Sequence, residues 1–427
     1  MSNPIIVGPL LGFEEGDFYT VCVLLEPGRP SPTLELSGGP QTQPFTKVAT
    51  VGLNEFWRAE FPRPTPAADG SVAYAIKVND AALADQHGRR AWKFHVPGTG
   101  EKPLLAYASC NGFSSAKLAR DTNEPCVLWK RMAETHLGRP AQDGKPAQDA
   151  RPFSLLLMGG DQVYADELWE SKKCPHLKKW SELNWDKQHK AKVSATMAGE
   201  IAKFYDGLYL ERWQDADMSL MFASIPSVMM WDDHDIFDGW GSYPDERQKC
   251  DVFQAVFKEA ARVFEIFQLR CGTRNRLNAG GGHRTLRLRF GDYHILALDN
   301  RSERAQTHIM SEPHWRDVKN WLAGLADQKI ANLLVMTGVP IVYRSFASVK
   351  RSWTPRSGTR NWRTTSTTTG VHDRTWRNEC ASSWCCWSSS GRKRTRGAGA
   401  SARACCSRAT CMWARSAKSG MSARNWA

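Results

Sequence analysis

Apolar positions along this chain follow two rhythms, and the change falls near residue 100. Before it, short runs such as FYTVCVLLE, FTKVATVGL, FWRAEF and VAYAIKV are separated by stretches rich in Pro, Gly and Asp, among them PGRPSP and PTPAADG. Short strands at that spacing predict a β-sandwich over residues 1–98. From Lys102 onward, strands alternate with helices. LLAYASC, FSLLLMGGD, SIPSVMMWDD, YHILALD and ANLLVMTGVP are unbroken apolar runs of the kind found in buried strands. Between them lie CVLWKRMAETHL, SATMAGEIAKFYDGLYLERW, VFQAVFKEAARVFEIFQLR and HWRDVKNWLAGLAD, which repeat at helical spacing. Ser311-Glu312-Pro313 is a helix start. An α/β domain over residues 102–350 follows.

Composition changes the picture only at the C-terminus. The chain has 427 residues and a net charge of +13. Residues 351–427 hold 15 basic and 2 acidic residues, leaving 42 of each sign before them. The basic balance that would point to a polyanionic partner therefore belongs to the tail alone. The tail also carries 6 of the 12 cysteines and 7 of the 18 tryptophans at no helix or strand period. Upstream, Cys22, Cys110, Cys126, Cys174, Cys250 and Cys271 are scattered. Together with the lack of a leader pattern in MSNPIIVGPLLGFEEGDF, this fits a reducing cytoplasm better than a disulfide framework. No apolar run is long enough to predict a membrane span.

The candidate chemistry sits where strands end, as sites do in α/β folds. One predicted strand ends in Ser109-Cys110-Asn111. The next ends in Gly159-Gly160-Asp161, followed by Tyr164. A third ends in Trp231-Asp232-Asp233-His234-Asp235, and a fourth in Asp299-Asn300-Arg301 with Arg304 beyond. An Asp at a strand end commonly caps a helix or makes a turn. Dense carboxylates beside apolar strands, however, are costly without a compensating cation. Asp161 can aim at such a cation from its glycine turn. The phenolate of Tyr164 would favour a trivalent ion. A two-metal site would bind phosphate oxygens and acidify a water, and His234 could protonate the leaving oxygen.

The motifs GGDQVYAD, MMWDDHDIFDGWGS, LDNRSER and TGVPIVYRSF resemble the alkaline phosphatase D family, the PhoD-like phosphatases of the calcineurin-like metallophosphatase superfamily. The resemblance covers roughly residues 1–350. It implies an N-terminal immunoglobulin-like β-sandwich, a four-layer αββα catalytic domain and hydrolysis of phosphate esters, as phosphatase or phosphodiesterase. It implies two metal ions, Fe(III) plus a divalent ion such as Ca, Mn or Zn. By motif match, Asp161, Tyr164, Asp233 and Cys110 would be metal ligands and His234 the catalytic histidine. Asp232, Asn111, Arg301 and Arg304 would touch phosphate or support the ligands. The expected partner is a phosphate-ester substrate, with no membrane and nucleic acid only through non-specific contacts of the tail.

One motif of the resemblance is missing, a strand ending in Gly-Asp-Val-His, and nothing after Pro340 supplies it. His372 follows no apolar strand. Back-translation accounts for the gap. Codons for Ser407 to Gly420, read from one base earlier, can give Leu-Ser-Gly-Asp-Val-His-Val-Gly, with the His across the codons of Cys411 and Met412. In the same frame NWRTTSTTTG can read as an acidic amphipathic helix, and WRNECASSWCCWSSS as an apolar-rich one. We therefore read residues 351–427 as an out-of-frame, irregular and disordered basic tail, following one insertion or deletion near codons 345–355. The chain as written is then expected to be impaired. The alternatives are a catalytically dead remnant, or a genuine tail that binds nucleic acid.

Overall fold

The structure is a computed structural model. It describes residues 5–37, 42–113, 120–141, 146–326, 328, 330 and 332–339, together with two short strands at 403–406 and 411–416. Its first sheet has seven strands in the order β10 (Leu105–Ala108), β11 (Leu155–Gly159), β12 (Ser227–Met230), β1 (Ile5–Glu14), β2 (Phe18–Leu25), β6 (Asn54–Pro62) and β5 (Thr46–Val51). A second runs β13 (Leu286–Phe290), β14 (Tyr293–Leu298), β15 (Asn332–Thr337), β17 (Cys411–Ser416) and β16 (Arg403–Cys406). A third joins β4 (Thr42–Pro44), β3 (Thr33–Leu36), β7 (Ser71–Val78) and β8 (Ala81–Ala82), with β9 (Trp92–His95) also on β7.

The division expected at residue 98 is not a boundary between sheets. β1 pairs in parallel with β12, Gly12 opposite Ser227, so the N-terminal strands extend the sheet that carries β10–β12. Two layers do face each other as in a sandwich. Phe94 of the third sheet lies 5.4 Å from Tyr19 and 6.4 Å from Phe61 of the first, ring centre to ring centre. β7 shows the cause, burying Val72, Tyr74 and Ile76 on one face. β11 is buried at every position, as a parallel strand covered on both faces must be.

The four helices read from the sequence are present as α1 (Val127–Leu137), α2 (Ala195–Arg212), α4 (Asp251–Phe267) and α5 (Glu312–Ala326). A further helix, α3 (Ala216–Ser224), is capped by Asp215, whose side chain accepts from the amides of Asp217 and Met218. α4 buries Val252, Phe253, Val256, Ala260, Val263, Phe264 and Phe267 on one stripe. Helices pack on the first and second sheets. α3 packs on β1 and α1 on α3. α5 sets Val318 against Leu296 and Leu298 of β14, while Ile295 and Ala297 on the other face join the main core.

Within the tail expected to be irregular, β17 pairs antiparallel with β15 and β16 with β17. Backbone groups alone suffice for such pairing. The tail's other positions, with His372 and the expected frame change, lie outside the described residues. Among the described residues, no helix is long and apolar enough to cross a membrane, and the six upstream cysteines are free thiols.

Candidate metal centre

Five strand ends converge on one point. β10, β11 and β12 run parallel, as do β14 and β15, so the carboxyl ends within each set lie on one side. Trp231 after β12 donates from Nε1 to Asp299 Oδ1 after β14 at 2.8 Å, tying the two sheets together there. Both Asp161 and Cys110 take left-handed backbone conformations, each with φ 56°. Such conformations in residues other than glycine are costly and persist where surroundings impose them. Here the imposing contacts are Cys110 N–H to Gly160 O at 3.0 Å and Asn111 N–H to Asp161 O at 2.7 Å.

The carboxylates of Asp161, Asp232 and Asp233 bring oxygens within 4.8 Å of one another. Arg301 bonds Asp232 through Nε and lies 3.2 Å from Asp233 Oδ1 through its terminal nitrogen. The Gly239 amide donates to Asp233 Oδ2 at 2.9 Å. Asp232 Oδ2 is buried without a hydrogen-bond partner among the described residues. Burial, then Asp232 and Asp233, push the Asp161 carboxyl well above its usual range. Burial pushes Asp232 up to about 7, with Arg301 opposing. Asp233 is held low against burial by Arg301, His234 and the Gly239 amide. Arg301 meets Asp232 and Asp233 but leaves Asp232 Oδ2 unpaired among the described residues, so this largely buried set offers the orphaned oxygen of a cation site.

His234 stands beside the cluster. Its backbone N–H donates to Asp161 Oδ1 at 3.3 Å, and its Nδ1 lies 2.6 Å from Asp166 Oδ2. Burial opposes its charge, but Asp166, then Asp161 and Asp233, hold the imidazole up at about 10. Tyr164 stacks on His234 at 4.3 Å and 21°. Only a glycine fits at 112, where a Cβ would lie 2.2 Å from the Tyr164 ring.

Of the residues expected from sequence, Asp161, Asp233 and His234 meet at this point, and Asp232 joins the carboxylate cluster rather than standing behind it. Cys110 borders it, Sγ 3.5 Å from Asp161 Oδ2, with its thiol pushed up by burial and by Asp161. Tyr164 borders it through its ring. Arg301 reaches the carboxylates, while the stem of buried Arg304 packs against Gly241. The Asn111 amide accepts from Trp129 Nε1 at 2.7 Å and donates to Gln162 O at 3.2 Å, which holds the loop after β10. Two residues were missed. Asp166 fixes His234, and Asp235 accepts from the amides of Asp161, Gln162, Val163 and Asp232 and from Gln268 Nε2. Both lie in the quoted motifs, and a count of acidic residues at strand ends would have included them.

Residues 143–368, more than half of the chain, match the family described as PhoD related phosphatase. The uncharacterized protein YGR266W of Saccharomyces cerevisiae is 26% identical over 336 residues. That match takes in 67% of this chain and 43% of the yeast protein, so the chain spans less than half the length of this curated relative. A solved structure described as "Structure of PhoD" overlays with a TM-score of 0.45 at 16% identity, covering 76% of this chain and 60% of that one.

Proposed function

The chain belongs to the PhoD-related phosphatase family, and we propose that it hydrolyses phosphate esters at the Asp161, Asp232 and Asp233 cluster with the help of bound metal. The observation that carries this reading is the set of three carboxylates, two of them buried, with Asp232 Oδ2 unpaired among the described residues, next to a histidine bonded to Asp166. Asp161, Asp232 and Asp233 would hold the metal, with Cys110 and Tyr164 at its border. When bound, such ions supply Lewis acidity toward phosphate oxygens and lower the pKa of water. Asp166 accepts the proton on His234 Nδ1, which leaves Nε2 to face a substrate. In its protonated form the ring can give the Nε2 proton to the leaving oxygen. The Tyr164 ring, stacked on the imidazole, limits its rotation. Arg301 keeps Asp232 and Asp233 oriented when no cation is present.

Hydrolysis of p-nitrophenyl phosphate or its bis-ester, with and without chelator, tests the reading. Asp161→Ala and His234→Ala should each lose about 100-fold or more. Wild-type turnover by both variants, or turnover untouched by chelation, would refute it. A purified wild-type chain that binds no metal would favour a dead remnant.

The proposal of impairment has a structural counterpart. β17 begins at Cys411, paired opposite Thr337, and the next residue, Gly338, abuts the Asp232 carboxylate. The codons of Cys411 and Met412 are those that read as histidine in the shifted frame. The frame-restored chain should therefore hydrolyse the ester faster and retain metal better than the chain as written. Equal rates and equal metal content in the two would defeat the frame reading.

A further inference from the structure

A second buried polar group lies behind Arg301. His283 and His314 stack face to face at 3.7 Å and 8°, and both are buried. His314 Nδ1 lies 3.1 Å from Glu303 Oε2, and His283 Nε2 lies 3.2 Å from Asp317 Oδ2. Between the pair and the Arg301 loop stands Thr285, fully buried. Its Oγ1 accepts the Asp299 amide at 2.9 Å and lies 2.6 Å from His314 Nε2.

These contacts fix the protons. The buried hydroxyl of Thr285 needs an acceptor, and His314 Nε2 is the one within reach. His314 then carries its proton on Nδ1, toward Glu303. His283 Nδ1 accepts the Thr285 amide at 3.4 Å, so its proton is on Nε2, toward Asp317. Each ring thus turns one nitrogen to Thr285 as an acceptor and the other to a carboxylate. Backbone pairing of β13 with β14 ends at Leu286 opposite Ala297. The Thr285 side chain carries the ladder one step further, to the amide of Asp299. The Asp299 carboxylate in turn accepts from Trp231 Nε1, from the amides of Arg284, Arg301 and Ser302, and from Ser302 Oγ. That folds the loop so that the Arg301 guanidinium reaches Asp232 and Asp233.

We propose that Thr285, held by the His283 and His314 pair, is a positioning residue that fixes the Asp299 loop and thereby keeps the Arg301 guanidinium on the Asp232 and Asp233 carboxylates. Its consequence for turnover rests on the phosphoesterase reading, but the placement of Arg301 can be measured without metal or substrate. The test is the Arg301 Nε–H resonance in the full-length chain labelled with ¹⁵N-arginine, identified by its absence in Arg301→Lys. Buried and bonded to Asp232, this proton should exchange slowly. Thr285→Val should speed its exchange about tenfold, the scale of one lost buried hydrogen bond. Thr285→Ser should restore wild-type exchange. His314→Gln, whose Oε1 can accept in place of Nε2, should behave as wild type, and His314→Leu as Thr285→Val. Should Thr285→Val fail to fold, the two His314 variants decide. An unchanged Arg301 signal in Thr285→Val or in His314→Leu overturns the proposal, as does failure of serine to restore it. If exchange responds as expected while the wild-type chain hydrolyses no ester, the phosphoesterase reading fails and the positioning role stands.

Discussion

Gly160 combines two constraints that Gly88 and Gly338 carry singly, so three alanine substitutions can separate them. Its φ is +105°, which L side chains rarely adopt, and a Cβ there would lie 2.7 Å from the Cβ of Asp232. Gly88 has φ +81° with nothing within 4 Å of its Cβ position. Gly338 has no positive φ, but its Cβ would lie 2.5 Å from Asp232 Oδ1 and 2.8 Å from Cγ. Gly88→Ala should therefore cost only the conformational term, about 1–2 kcal/mol. Gly338→Ala should cost the overpacking term, roughly 1–3 kcal/mol, because Asp232 is held by Arg301 and has nowhere to retreat. Gly160→Ala should cost about the sum, on the order of 2–5 kcal/mol. Urea midpoints at constant m-value give the ranking. Metal titration adds a second axis, since the two substitutions that press on Asp232 should weaken binding while Gly88→Ala leaves it alone. A Gly160→Ala chain no less stable than Gly88→Ala, with undiminished metal binding, would show that Asp232 is not confined as described.

Loading with Fe(III) should give a visible charge-transfer band if the Tyr164 phenolate is a ligand. Tyr164→Phe should abolish the band while keeping the ring stack on His234, and an unchanged spectrum would exclude the phenolate. Stability should fall in mild acid because of His136, whose Nδ1 accepts the Phe153 amide at 3.0 Å. Burial, with His95 adding to it, lowers its pKa from 6.5 to about 4. The unfolded chain thus takes up a proton near pH 6.5 that the folded chain accepts only near 4, and stability is lost as pH drops through that window, by roughly 3 kcal/mol. His136→Asn keeps an acceptor and removes the titration, so its urea midpoint should fall less between pH 7 and pH 4.5. Parallel curves for the two chains would remove His136 from the account.

The elements that were legible in the sequence are those whose cause is local. β11 and β12 announce themselves because strands buried on both faces must be apolar throughout. α4 does so because its buried residues recur at helical spacing. β1 did not, although it lies in the same sheet. Its partners are the adjacent β2 and, more than two hundred residues on, β12, with Gly12 opposite Ser227. Nothing in IIVGPLLGFE encodes that second pairing, so the pattern along the chain shows the change in rhythm near residue 100 but not the parallel bond between β1 and β12 that crosses it. The same limit explains β13, whose LRLRF alternates buried and partly exposed positions and draws its order from β14.

The run Asp232-Asp233-His234-Asp235 shows why residue type located the site but did not assign its parts. These residues form the start and body of a single 3-10 turn, in which successive side chains point about a third of a turn apart. Four adjacent polar residues therefore face different surroundings. Asp232 and Asp233 turn toward Arg301 and Asp161, and His234 toward Asp166. Asp235 turns back beneath the loop, where five N–H donors meet it. A carboxylate surrounded by that many donors is already satisfied and has little to offer a cation, whereas Asp232, with one oxygen on Arg301 and the other unpaired among the described residues, has a lone pair to give. The division between a ligand and a brace is thus set by where the donors are. Four of those five donors come from the turn after β11 and from Gln268 beyond α4, elements distant in sequence from the motif they complete.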